Sequence, residues 1–496
     1  MTVPAAPAHV IRRQVLEVDL RGTEADGLAL QRRLPDVCNS LVAPALERAL
    51  ERCDPGDGWV LVDRLDVDVG RLSLDDLERD LPVAVGRAVE AFLRHHAPAA
   101  RTPSPPSPPG GGTPVGVRRR SERETADDAL VFFLRTGRLP WSFRLPAGRS
   151  LEEVLLAAWT PAEGSVDVPV RRAAVLDAVA APAARRRLVD QFSPAFRSTL
   201  LRLLDPATAA TVATILASLA ELDRSAPAGE LLHARLWEAA FAGLSSGAST
   251  APAELLVAAW RALPPDASGR PAVRTFLEGR WPGVAGRRAQ GAASGASTDA
   301  ADRPADAPSV VSGRPHPARP TAIAHRTPDE EIEDGVYVDD AGIVLLHPFL
   351  PRFFQALGIA VDDELVMPER ALCLLHHLAT GEVTAPEYDL VLPKVLCGVP
   401  IDEPVPAVTL TEAEVDEAAA LLDAAIRHWE ALRGTGRDAL RGTFLLRPGM
   451  LSPDEDGGWL LRVEEQTFDI LLDQLPWGIS MIRLPWMRRM LRVEWR

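Results

Sequence analysis

Alternation of apolar and polar residues opens the chain. In "VLEVDL", Leu16, Val18 and Leu20 alternate with Glu17 and Asp19, which predicts a half-buried strand. A helix is predicted from about Glu24 to Arg52, interrupted near Pro35. "LDVDVG" then alternates again, with Leu65, Val67 and Val69 inward and Asp66 and Asp68 outward. Ser73 is placed to start a second helix, with Asp75 and Asp76 in the first turn, where the helix dipole favours carboxylates. Residues 1–96 therefore read as a small α+β unit.

The pattern then breaks. Residues 97–117, with "APAARTPSPPSPPGGGTPVG", read as a Pro/Gly linker that packs no core. Residues 118–283 read as an irregular array of short helices, with Ser150 and Glu153 forming a capping box ahead of "VLLAAW". Further helices are predicted near 170–189, 194–204, 207–222, 228–243 and 252–263. Residues 284–335 are nearly free of large apolar side chains and read as a second, disordered linker. From 336 to 496 the chain is dense again. There Thr411 and Glu414 cap a long helix whose stripe Val415, Ala419, Leu422, Ile426 and Trp429 steps by four and three. The fold expected is α+β and predominantly α, with a compact C-terminal α+β block that ends in strands.

That end carries "LPWGISMIRLPW" (475–486), and a third Leu-Pro-Trp stands at 139–141. Proline biases its predecessor toward extended backbone, so each copy marks a strand boundary. Ile479–Leu484 between the two copies reads as a strand buried on both faces. Trp477 and Trp486 are an odd step apart and would point to opposite faces, which rules out one shared aromatic cage. "LRVEW" alternates in turn, with Leu491, Val493 and Trp495 on one side, and could return antiparallel. Trp141, Trp477, Trp486 and Trp495 are accordingly the candidates for framing a sheet or gripping a partner.

Charge and composition narrow the function. A formal net charge of −15 disfavours a general binder of nucleic acid or anionic membrane. Lys394 is the only lysine among 54 Lys and Arg residues, a bias attributed to genome composition. The four cysteines have no CxxC spacing and read as buried free thiols. No signal-like start and no long apolar run is present, so a soluble cytoplasmic protein is expected. Cys373, His376 and His377 share a helical turn, with Cys397 a possible fourth zinc ligand, but leucines surround them and core packing is the stronger reading. His347 reads as a helix-start residue, and Asp63, Asp66 and Asp68 as solvated carboxylates. No catalytic, cofactor-binding or metal-binding residue is assigned, and no enzyme motif is found.

Several blocks resemble the tape measure proteins of contractile injection systems, which are phage-tail-like particles. They are "HVIRRQVLEVDL", "ALQRRL" and "VDRLDVDVGRL" at the start, "FLRTGRLPW" (133–141) in the middle, and a C-terminal set. That set comprises "GIVLLHPFLPRFFQALG", "LATGE", "EYDLVLPKVLCGVPIDEP", "LLDAAIRHWEALRGT" and "LPWGISMIRLPWM…LRVEW". The resemblance implies a structural protein that acts in inner-tube assembly and sets tube length. It also implies inner-tube, hub or cap proteins as partners, with self-association in the tube lumen as a further option. A different class of reading is a cytoplasmic adaptor or chaperone that docks cargo or hub components. As one continuous helix residues 97–335 would span about 360 Å, and fully extended roughly 800 Å.

Overall fold

The computed structural model describes residues 9, 11, 14–53, 59–62, 64–96, 117–120, 122–146, 148–160, 171–220, 227–267, 269–284 and 335–495. They form two compact units, one from residues 1–130 and 139–168, the other from 131–138 and 169–496. The expected linkers at 97–117 and 284–335 lie almost wholly outside the described residues.

In the first unit, α1 (Glu24–Val37) starts on a capping box in which Thr23 and Asp26 each accept the other's backbone N–H. Pro35 does not end the helix. The chain passes through it into a π turn, Cys38–Val42, and continues as α2 (Ala43–Arg52). β1 (Trp59–Val62) follows, then α3 (Leu77–His96). Leu46 and Ala49 of α2 share a core with Leu81, Val85 and Val89 of α3. α3 starts at Leu77 rather than Ser73, because the Asp76 carbonyl already accepts from Asp80 N–H at 2.9 Å.

The two strands expected at 15–20 and 65–70 are not ladder strands. The ladder that does form pairs β1 antiparallel with β2 (Val117–Arg120), Trp59 opposite Arg120 and Val62 opposite Val117. Continued in that register, Leu65 would face Pro114 and Val67 would face Gly112, residues that cannot sustain pairing. The alternation itself is real: Leu65, Val67 and Val69 are half-buried against the helices while Asp66 and Asp68 are exposed. α4 (Glu122–Thr136) leads from this unit into the second. α5 (Leu151–Trp159) carries the expected Ser150–Glu153 box and docks on α4 by Trp159 Nε1 donating to Asp127 Oδ1 at 2.8 Å.

The second unit begins with an array of short helices: α6 (Arg172–Ala178), α7 (Pro182–Gln191), α8 (Pro194–Leu204), α9 (Pro206–Leu219), α10 (Pro227–Ser246), α11 (Pro252–Arg261) and α12 (Arg270–Arg280). Helices α7 to α11 each open with proline, whose fixed φ suits the first turn and whose missing N–H is unneeded there. The single helix expected at 170–189 is split for this reason, ahead of Pro182.

The C-terminal block follows: β3 (Val336–Val338), a 3-10 turn at Ala341–Leu346, α13 (Leu350–Ala356), the small hairpin β4 (Ala360–Val361) and β5 (Glu364–Leu365), then α14 (Pro368–Thr380), α15 (Val391–Cys397) and α16 (Glu412–His428). β6 (Gly449–Pro453), β7 (Trp459–Val463), β8 (Met481–Ile482) and β9 (Leu491–Glu494) complete a sheet of order β3-β6-β7-β9-β8. β7 and β9 run parallel and the other neighbours antiparallel. The turn at Ala341–Leu346 is buried throughout. It lies so close to the next layer that a Cβ on Gly342 would overlap the Phe444 carbonyl.

Two details differ from expectation. α16 has its Thr411–Glu414 box, but its buried face is Glu414, Ala418, Leu421, Leu422, Ala425 and Ile426, with Val415 and Ala419 at the margin. Glu414 takes the inner place in the first turn because Arg370 pairs with it there. Ile479–Leu484 is not buried on both faces. β8 is an outer strand that pairs only with β9, so Met481 is 67% exposed while Ile482 and Leu484 are buried. β9 returns antiparallel to β8 with Leu491, Val493 and Trp495 inward, as the alternation indicates. The chain is predominantly α with a small C-terminal sheet.

Candidate functional site

The tryptophans of the tail are tied to the backbone at separate places. Trp477 donates Nε1–H to the Leu345 carbonyl at 3.0 Å and stands edge-on to Phe349. Trp486 donates to the Leu396 carbonyl at 2.9 Å, at the end of α15, and packs beside Phe354. Trp495 is buried and donates to Asp469 Oδ2 at 3.1 Å, with the Arg447 guanidinium over its ring. Arg447 grips Asp469 through two nitrogens, at 2.6 and 2.9 Å, a bidentate pair with almost no solvent access. Burial pushes the Asp469 carboxyl up, but the bonds from Arg447, Gln466 N–H and Trp495 outweigh it and hold it below its ordinary value. Trp141 belongs to the other unit, half-buried on a turn where Phe143 N–H donates to the Pro140 carbonyl at 2.9 Å.

A second buried cluster joins the helical array to the C-terminal block within the second unit. Arg187 on α7 and Glu387, in a 3-10 turn before α15, are both fully buried, with Nε 3.0 Å from Oε1. Lys394 on α15 reaches the same oxygen at 2.8 Å. Its two remaining protons go to the carbonyls of Ile401 at 2.9 Å and Glu403 at 2.8 Å, which satisfies the ammonium completely. Burial lowers the Lys394 pKa, and the Glu387 charge offsets part of that shift. Arg187 also donates to the Asp402 carbonyl and, through Nη1, to the carbonyls of Leu134 and Arg135 at 3.0 and 3.1 Å. Those two are orphan carbonyls at the end of α4, so one guanidinium caps a helix while holding a carboxylate.

The end of α4 explains "FLRTGRLPW". Gly137 ends the helix in the left-handed region, φ 74°, with its N–H bonded to the Phe133 carbonyl at 2.7 Å. A Cβ there would collide with the Glu387 carboxylate and stand 3.0 Å from Arg187 Nε. Phe133 meets Phe192 and Tyr388 edge-on at 5.8 and 5.9 Å. Around the rim, Gln191 accepts from Glu387 N–H and donates to the Val405 carbonyl. Carboxyls nearby feel the lack of water: burial raises Asp190 to about 6, and raises Asp389 to about 7 with help from the Asp339 charge.

Sequence reasoning missed Arg187, Glu387, Arg447 and Asp469. One signal was present, since the chain's only lysine sits inside "LVLPKVLC", where an unpaired ammonium could not be buried. Cys373 and His377 are each near a backbone carbonyl: Cys373 Sγ is 3.6 Å from Val408 O, and His377 Nδ1 is 2.9 Å from Glu382 O. Burial pushes Cys373 up to about 11 and lowers His376 to about 4, so a neutral thiol and imidazole are favoured at neutral pH. Among the described residues no group of three His, Cys, Asp or Glu could hold a metal ion, and no helix is long and apolar enough to cross a membrane.

What the arrangement does is mechanical: within the second unit it ties the end of α4 (residues 131–136), α7 and the C-terminal block together by buried charge. No curated protein and no solved structure matches the chain. The family model described as contractile injection system tape measure protein matches residues 8–495, which takes in both units, the welded cluster and the tryptophan-bearing tail. The chain therefore belongs to the contractile injection system tape measure protein family.

Proposed function

We propose that the protein acts in assembly of the inner tube and helps to set its length, as a folded organiser that docks tube, hub or cap proteins rather than as a stretched ruler. The observation behind this reading is the Arg187–Glu387–Lys394 cluster. A ruler must present length, and the longest described helices, α3 and α10, have 20 residues each, or roughly 30 Å. The cluster holds α7 of the array against the C-terminal block, and pulling α7 away would expose three buried charges. Tubes assembled with about 40 residues removed from 285–334 test the reading. An organiser leaves tube length unchanged. A stretched ruler shortens the tube by about 140 Å if that part is extended, or about 60 Å if helical. A cytoplasmic adaptor that leaves before completion is separated from both by mass spectrometry of purified particles, where an organiser is retained in fixed copy number.

A further inference from the structure

The ladder of β1 ends at Val62, and a strand-like alternation of burial is present at residues 64–69. β2 covers only Trp59–Val62. Beyond it, Leu65, Val67 and Val69 keep the strand alternation and pack on the α1–α3 core. Among the described residues, no backbone group of 65–69 bonds to another backbone group. Residues 15–20 likewise have no backbone partner among the described residues, with Leu16 and Leu20 half-buried and Val18 50% exposed. Arg64 bonds Asp66 at 2.8 Å and also feels the charge of Glu17, so the two segments lie within electrostatic reach. An open row of peptide groups beside a packed apolar face is a template for another strand.

The outward residues state what that strand carries. They are Asp66 and Asp68 on one segment and Glu17 and Asp19 on the other, all exposed. A second copy of this chain is a poor occupant, since it would set carboxylates against carboxylates in a chain of net charge −15. We propose that residues 64–69, flanked by 15–20, take an added β-strand from a partner protein whose outward side chains are basic. The proposal is independent of whether the protein sets tube length.

The test uses the full chain and a fluorescent peptide of about nine residues that alternates arginine and valine, a usual strand length. Fluorescence anisotropy is expected to show binding. Methylating alternate backbone nitrogens of the peptide should weaken it by about tenfold or more, as should replacing its arginines by glutamate, because pairing requires both amides and charge. The double variant Asp66→Arg/Asp68→Arg should lose affinity for the basic peptide to a similar degree, with circular dichroism confirming its fold. The N-methyl comparison is made on the unaltered chain and stands even if that variant misfolds. Equal binding of the methylated peptide would mean attraction by charge alone and would overturn the proposal, as would no binding of the parent peptide.

Discussion

Arg187 and Glu387 stand 200 residues apart and meet in a fully buried ion pair, Nε to Oε1 at 3.0 Å. Lys394 adds a second cation to the same oxygen, so one carboxylate holds two positive charges out of water. Glu387→Gln should therefore be the worst change in the cluster. Removing one partner of a buried pair costs about 3–5 kcal/mol, and here two cations are left behind. Lys394→Met leaves the Arg187–Glu387 pair intact and should cost less. Thermal melting of the full chain checks the order. Equal melting of both variants and parent would mean that the cluster does not hold the unit together.

Gly137→Ala probes the same place without changing charge. The left-handed backbone costs an L-residue roughly 1–2 kcal/mol, and the new methyl meets the Glu387 carboxylate. A lowered melting temperature is expected, larger than for Gly148→Ala. Gly148 also has positive φ but has open space where a Cβ would be built, so the difference between the two isolates the collision.

The buried carboxyls give the protein a pH dependence of a definite sign. Burial raises Asp340 from 3.8 to about 8, with a contribution from the Asp389 charge, and raises Asp389 from 3.8 to about 7. The folded state thus holds protons that the unfolded chain has released, and stability falls as pH rises from about 4 to about 8. Asp340→Asn should flatten that slope in denaturant titrations at stepped pH. Glu414 acts oppositely. Its bond from Arg370 leads burial in setting its pKa, which falls to about 2, so its contribution is present above its ordinary 4.5 and lost as pH drops through about 2.

Trp486→Ala should cost roughly 3 kcal/mol, the low end for a tryptophan because the side chain is half-buried. Trp486→Phe keeps most of the packing on Phe354 and loses the bond to Leu396 O, about 1 kcal/mol. Full-chain melting beside a tube-assembly assay reads both. If Trp486→Ala melts like the parent while assembly fails, the residue belongs to a docking surface and not to the frame of the sheet.

The features legible in the sequence were the ones that close over short spans. Ser150–Glu153 and Thr411–Glu414 each complete a cap within three residues, and "LRVEW" declares its inner face by alternation alone. Residues 15–20 and 65–70 carry the same alternation, yet a ladder needs a partner, and the register offers Pro114 and glycines. The α16 face was turned because Glu414, polar by composition, is buried by a partner 44 residues earlier. Arg187 and Glu387 were hidden for the same reason. An arginine that ends the run in "AARRRLVDQ" looks solvated until Glu387, 200 residues on, pairs with it.

The burial of Lys394 has a practical consequence for mapping this protein's neighbours. It carries the sequence's only ε-amine, and that amine is 1% exposed with all three protons engaged. Amine-directed cross-linkers will pass over the folded second unit, so a silent cross-linking map is no sign of a solitary molecule. Carboxylate-directed or photoactivated reagents are the suitable choice. The same silence makes a clock. Acylation of Lys394, followed by mass spectrometry during tube assembly, would report whether the Arg187–Glu387–Lys394 cluster ever opens; a folded organiser leaves Lys394 unmodified.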